Sequence, residues 1–162
     1  MKKLTSSIVL NILLIFGLCI TIVLLIGTPL IITAFFKSQF GLLDHYLVWS
    51  VSACIYLCAI PYVILLFKLK KLSDLVVKNN PFSNESVKSL KVIAISSFSE
   101  VILFIGCVSY LKHSVQFFQY TVFGGPIIVV VFISITIGLL CFVLARLFEI
   151  AIDIKNENDL TI

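Results

Sequence analysis

The chain has 162 residues, of which 60% are hydrophobic and 12% charged, and its mean hydropathy is +1.19. A soluble domain is about one-quarter charged, so this composition excludes an ordinary water-soluble fold. The net charge of +4 is no nucleic-acid signal, because the lysines lie where membrane topology would place them.

Four stretches carry almost no charge: Leu4–Phe36 and Tyr46–Phe67 none, Val92–Leu111 only Glu100, and His113–Ala145 none. An apolar run of about 18 residues or more can cross a bilayer as a helix. The predicted fold class is therefore all-α: one polytopic membrane domain over 1–162, with spans at about 8–28, 47–67, 92–111 and 126–145. A loop, 68–91, and a tail, 146–162, complete it. Met1-Lys2-Lys3 and the following apolar run resemble a signal peptide, but the run is too long for one and lacks a small-x-small cleavage site. It is read as a retained first span.

Span one ends near Pro29, where the helix is expected to kink or stop. Span two is expected to continue past Phe67, because Leu66, Leu69, Leu72 and Leu75 recur at helical spacing among Lys68, Lys70, Lys71 and Asp74. Asn79-Asn80-Pro81 ends that helix, since the residue before a proline is pushed out of the helical region. Ser83 is the predicted N-cap of the third helix, with Glu85 in its first turn. After span three, the aromatic segment Val115–Phe123 is expected along the interface. Gly124-Gly125-Pro126 then starts the fourth helix. That helix also runs on, with an apolar face at Leu144, Phe148, Ala151 and Ile154.

Ten Lys and Arg residues fall on one side of this scheme and two, Lys37 and Lys112, on the other. Positive residues stay in the cytoplasm, so both termini and the loop are assigned there, in a cell membrane. Tyr46, Trp49, Tyr110 and Tyr120 gather at the opposite boundary, as an aromatic belt does.

The loop Asn80-Pro81-Phe82-Ser83-Asn84-Glu85-Ser86-Val87-Lys88-Ser89-Leu90-Lys91 and the tail from Ala151 to Ile162 resemble a family of small bacterial four-span proteins, the domain of unknown function numbered twenty-nine seventy-five. Glu157-Asn158-Asp159-Leu160-Thr161-Ile162 is the most specific part. Members of that family are commonly encoded beside a small helix-turn-helix regulator. The resemblance thus implies a membrane protein that controls or tethers a cytosolic transcription factor. It carries no active site with it.

Glu100 is the sharpest single feature. It lies nine residues beyond Lys91, about 14 Å into the membrane. An ionisable group at that depth is costly, and Glu100 is expected to carry a proton there. Depth counting gives Cys58–Tyr62 and Ser134–Thr136 as its neighbours. Pro61 frees the carbonyl of Leu57, so a structural bond from Glu100 to that carbonyl or to Tyr62 is favoured over ion chemistry. The expected intramembrane polar site is Glu100, Tyr62, Pro61 and Thr136.

Ser96, Ser97, Ser99 and Gly106 read as small residues that let helices approach closely. The five cysteines, Cys19, Cys54, Cys58, Cys107 and Cys141, all fall in spans and read as apolar packing. Cys54 and Cys58 share a helix face, with no His or carboxylate expected beside them to complete a metal site. His45 and His113 lie outside the spans. No cofactor motif and no nucleophile–base pair is present, so the expected function is non-enzymatic, with no direct contact to nucleic acid.

The expected partners are the lipid bilayer and a cytosolic protein such as a helix-turn-helix regulator. The expected docking surface is Leu69, Leu72, Leu75, Phe148, Ile154, Asp159 and Leu160. A homo-oligomer is compatible with the sequence. The rival function is transport, an ion or proton response, or immunity, working through Glu100.

Overall fold

The computed structural model describes residues 2–41, 45–78, 80–119 and 124–159. It consists of α1 (Lys2–Phe40), α2 (His45–Val77), α3 (Asn84–Ser114), the single turn α4 (Gln116–Gln119) and α5 (Gly124–Asp159). Among the described residues there is no strand. The first three uncharged stretches each lie inside one long helix, the fourth begins in the end of α3 and has its larger part in α5, and all four long helices are apolar enough to cross a membrane. The 33 residues of α2 and 36 of α5 reach about 50 Å at 1.5 Å per residue, against a hydrocarbon core of about 30 Å.

The helices stand in an open row rather than a closed bundle. Helix α1 packs on α2, α2 on α3, and α3 on α5, while among the described residues the backbones of α1 and α5 do not come close. The α3–α5 seam is the most extensive. Large apolar side chains consequently face outward along the row, such as Ile26, Leu30, Ile102 and Phe132, each at least 70% exposed. Such a surface is tolerable only where lipid covers it.

Local signals explain the ends. Ser83 is in extended conformation and its Oγ accepts from the Ser86 N–H at 3.2 Å, with Glu85 in the first turn. Helix α2 stops at Val77, and the Asn80 N–H closes it on the Leu75 carbonyl at 3.0 Å. Gly41 has φ +63°, a conformation glycine adopts without strain, and its N–H bonds the Lys37 carbonyl at 3.2 Å.

Of the two outcomes expected at Pro29, a kink or a stop, the stop does not occur: helix α1 continues to Phe40. Proline removes the donor for the carbonyl four residues earlier. That carbonyl, of Leu25, accepts instead from the Tyr56 hydroxyl of α2 at 3.0 Å. The freed acceptor therefore joins the two helices.

Two clusters close the ends of the row. At the lysine-poor end Ile32 and Phe36 of α1 meet Leu47 of α2, with Val115 and Phe118 folded over them. The Phe36 ring lies edge-on to Phe117 and Phe118, at centroid distances of 5.4 and 6.2 Å. The segment after α3 thus turns inward onto α1; its residues 120–123, Tyr120 included, lie outside the described part. Tyr46, Trp49 and Tyr110 are exposed at this end.

At the lysine-rich end Val87 and Leu90 of α3 pack with Ala145, Phe148 and Ile152 of α5 and Leu72 of α2. Phe82 lies 4.9 Å from Phe148, ring to ring. Salt bridges brace the same end: Lys71 to Glu85 at 3.3 Å, Lys91 to Glu149 at 2.5 Å, and Arg146 to Glu149 at 3.2 Å. Helix α1 is tied there by Asn11, whose Nδ2 donates to Asp74 Oδ1 at 2.7 Å while Lys70 holds the other oxygen at 2.8 Å.

Candidate functional site

Glu100 sits near the middle of α3, where this helix has α2 and α5 packed against it but no α1. The gap between α1 and α3 leaves a cavity of about 330 Å³. Its walls are Leu24 and Leu25 of α1, Ile55, Cys58, Ala59 and Tyr62 of α2, and Glu100 itself, with Thr21 and Thr28. A second cavity of about 280 Å³ on the other side of Glu100 is lined by Cys54, Cys58, Phe104, Cys107 and Val130, among others.

Sequence reasoning brought Glu100 and Tyr62 to one place, and both line the first cavity. The expected bond does not form. Glu100 Oε2 is buried and has no hydrogen-bond partner among the described residues. Leu57 lies on another side of α3, half exposed beside Ile102, Leu103 and Gly106. Pro61 is buried in α2. It leaves an acceptor that the Glu100 side chain does not meet.

Thr136 stands at the right level but on the wrong face. The antiparallel register of α3 and α5 sets Lys91 by Glu149 and Phe98 by Gly138, which puts residue 136 opposite Glu100. Its side chain is nevertheless exposed, and its hydroxyl donates to its own Phe132 carbonyl at 2.7 Å. Counting depth fixes level but not the facing direction, which turns by 100° per residue.

The cysteine expectation needs a correction. A carboxyl group does stand beside Cys58, since Glu100 shares both cavities with it. Cys107 of α3 completes a group of three thiols. The Cys58 and Cys107 sulfurs are 3.9 Å apart, Cys54 Sγ is 4.0 Å from the Cys107 carbonyl, and Cys107 Sγ is 3.8 Å from the Cys54 carbonyl. All are free thiols. These are weak S–H contacts that tie α2 to α3. Among the described residues no three His, Cys, Asp or Glu are placed to hold a metal ion. His45 and His113 are both exposed.

Small residues act differently from the expectation. Ser96 and Ser97 are buried on α3, and the Ser97 hydroxyl bonds back to Ile93 at 3.0 Å. Gly106, however, has open space where a Cβ would be. The glycine that allows close approach is Gly138 of α5, whose Cβ position is 3.0 Å from the tip of the Phe98 ring.

The expected docking surface is partly occupied within the chain. Leu72 and Phe148 pack on the first turns of α3. Among the described residues the backbones of α2 and α5 do not approach closely, and both extensions pack on the start of α3. Leu69 and Leu75 are half-buried, and Ile154 is exposed. The Asp159 side chain and Leu160 lie outside the described residues. Around Glu149 the charges are strong: hydrogen bonds from Lys91 and then Arg146 hold its carboxyl below the usual glutamate range.

Residues 38–162 match the family described as "Protein of unknown function (DUF2975)". The chain belongs to this family. The DUF2975 match begins near the end of α1, so it covers three of the four long helices and the end of the first. A relative in Bacillus subtilis (strain 168), the "Uncharacterized membrane protein YoaS", is 34% identical over 119 residues, which cover 72% of this chain and 73% of YoaS. No solved structure gives a significant match. Family and fold agree on an integral membrane protein of four apolar helices.

Proposed function

We propose that this DUF2975 protein is a non-enzymatic regulator or tether, held in the cell membrane with both termini and the 68–91 loop in the cytoplasm. Its partner is a cytosolic protein, a small helix-turn-helix regulator being the class that the family resemblance suggests. One observation carries the reading. The lysine-rich ends of α2, α3 and α5 are locked into one face by Phe82, Phe148 and the Lys71–Glu85 and Lys91–Glu149 bridges. Past that face, α5 presents exposed Ile154, Lys155, Asn156 and Glu157. A rigid face of mixed charge favours orientation and rate of association. The ten-to-two distribution of Lys and Arg supports its cytoplasmic placement.

Deleting 156–162 removes no apolar span, and insertion and abundance are expected to stay normal. A pulldown from native membranes is expected to lose one cytosolic protein that the full chain retains. If the full chain retains none, the tethering reading fails.

A second reading has its own support in the unpartnered Oε2 of Glu100. It is an ion- or proton-responsive, transport or immunity function centred on that carboxyl. In that case Glu100→Gln abolishes activity in a folded protein and the tail deletion does not.

A further inference from the structure

Apart from the Tyr62 hydroxyl, the polar oxygens that line the cavity between α1 and α3 are acceptors or acid. The Thr21 hydroxyl donates to the Gly17 carbonyl and the Thr28 hydroxyl to the Leu24 carbonyl, each at 2.9 Å. Their protons are in use, and only their oxygen lone pairs remain for a ligand. Glu100 adds a carboxyl whose Oε2 has no partner. Its terminal torsion is soft, so either oxygen can turn toward the cavity. The uncharged stretches of α1 and α2 contain no Lys or Arg. On α3, Lys91 is nine residues away and engaged with Glu149. The site therefore offers chiefly acceptors, one phenol hydroxyl and one acid, without a cation to match.

We infer that this cavity binds a lipophilic amine, held as an ammonium on Glu100. A divalent metal ion is usually held by several carboxylate, thiolate or imidazole ligands, and among the described residues no three His, Cys, Asp or Glu are grouped to hold one. An amine brings its own N–H donors and an apolar body for the walls formed by Leu24, Leu25, Ile55 and Ala59. It enters through the lipid as the free base. The Glu100 O–H bond breaks as the new N–H bond forms, so the proton passes from acid to amine and no net charge crosses the bilayer. The product is a charge-assisted pair in a medium of low dielectric, where such pairs are strongest. The apolar body gains little by leaving lipid for an apolar wall. Recognition therefore rests on the nitrogen, and a neutral analogue of the same shape binds far less well.

This site is the one invoked in the second reading above, but binding requires no transport and no cytosolic partner. Failure of either functional reading therefore leaves it standing, and its own failure leaves tethering untouched.

The test uses the full chain in phosphatidylcholine nanodiscs with the fluorescent amine 1-naphthylmethylamine, at neutral pH, against discs without protein. Saturable binding of about one amine per chain is expected. 1-Naphthylmethanol, similar in shape but without the basic nitrogen, should bind at least tenfold more weakly. Glu100→Gln should weaken the amine at least tenfold, and Thr28→Val two- to fivefold, with circular dichroism and melting unchanged. Binding no greater than to protein-free discs overturns the inference, as does equal binding of alcohol and amine or unchanged binding to a folded Glu100→Gln protein. If that variant does not fold, the amine–alcohol comparison on the native chain decides.

Discussion

Gly138 is the position where one added side chain should part the most extensive helix seam. Its Cβ position lies 3.0 Å from Phe98 Cζ, 3.1 Å from Cε1 and 3.3 Å from Cε2. Carbon atoms prefer about 3.5–4.0 Å, so the ring tip must withdraw by about 0.5–1 Å. For Gly138→Ala the ring can tilt that far, and the gain in helix propensity of about 1 kcal/mol offsets the strain. The expected net change is within about 1 kcal/mol. Gly138→Leu puts further carbons where the ring stands, and the helices must separate. Overpacking of this kind costs about 1–3 kcal/mol. Shortening the obstacle by Phe98→Ala should recover much of that loss, giving a coupling of about 1–2 kcal/mol between the two sites. Reversible unfolding in mixed dodecyl maltoside–SDS micelles, followed by circular dichroism and Trp49 fluorescence, measures all four proteins. If Gly138→Leu matches the native stability, or the two substitutions prove additive, the α3–α5 contact described here is wrong.

Two further outcomes follow from named groups. Because Glu100 Oε2 has no partner to lose, Glu100→Gln and Glu100→Leu should leave abundance and melting temperature unchanged, while Glu100→Lys lowers both; destabilisation by Leu as severe as by Lys would restore a structural bond. The Glu149 carboxyl is held below its usual range by Lys91 and Arg146, so its contribution is fully present above the ordinary glutamate pKa of about 4.3 and fades as pH falls through the lower folded value. Native protein should therefore lose α3–α5 stability on acidification more steeply than Glu149→Gln, and parallel pH curves for the two would remove this role from the bridge.

Much of the fold could be read because its signals are local. Ser83 caps α3 through the next three residues, Asn80-Pro81 stops α2, and an uncharged run announces a helix whatever lies beside it. What escaped depends on register and facing direction across helices. The carbonyl freed by Pro29 is visible in sequence, but its donor, Tyr56, lies 31 residues away and is chosen by how α1 leans on α2. Gly106 and Gly138 look alike along the chain, and only the position of Phe98 separates them. Cys107 joins Cys54 and Cys58 for the same reason. Asn11, a polar residue in an apolar run, was the signal that could have located the partner of Asp74. At Glu100 the level was legible and the partners were not. Leu57 and Thr136 stand within reach in a count of residues and face elsewhere in space.

In the proposed topology the braced ends of α2, α3 and α5 face the cytoplasm. Single cysteines at Ser83 and at Ser38, in a background without the native five, test it directly on intact cells with a membrane-impermeant thiol reagent. Ser38 lies at the lysine-poor end of α1 and Ser83 caps α3 at the braced end. Labelling is expected at position 38, with protection at 83 until the membrane is opened. Labelling at 83 with protection at 38 would invert the protein and contradict the proposed function.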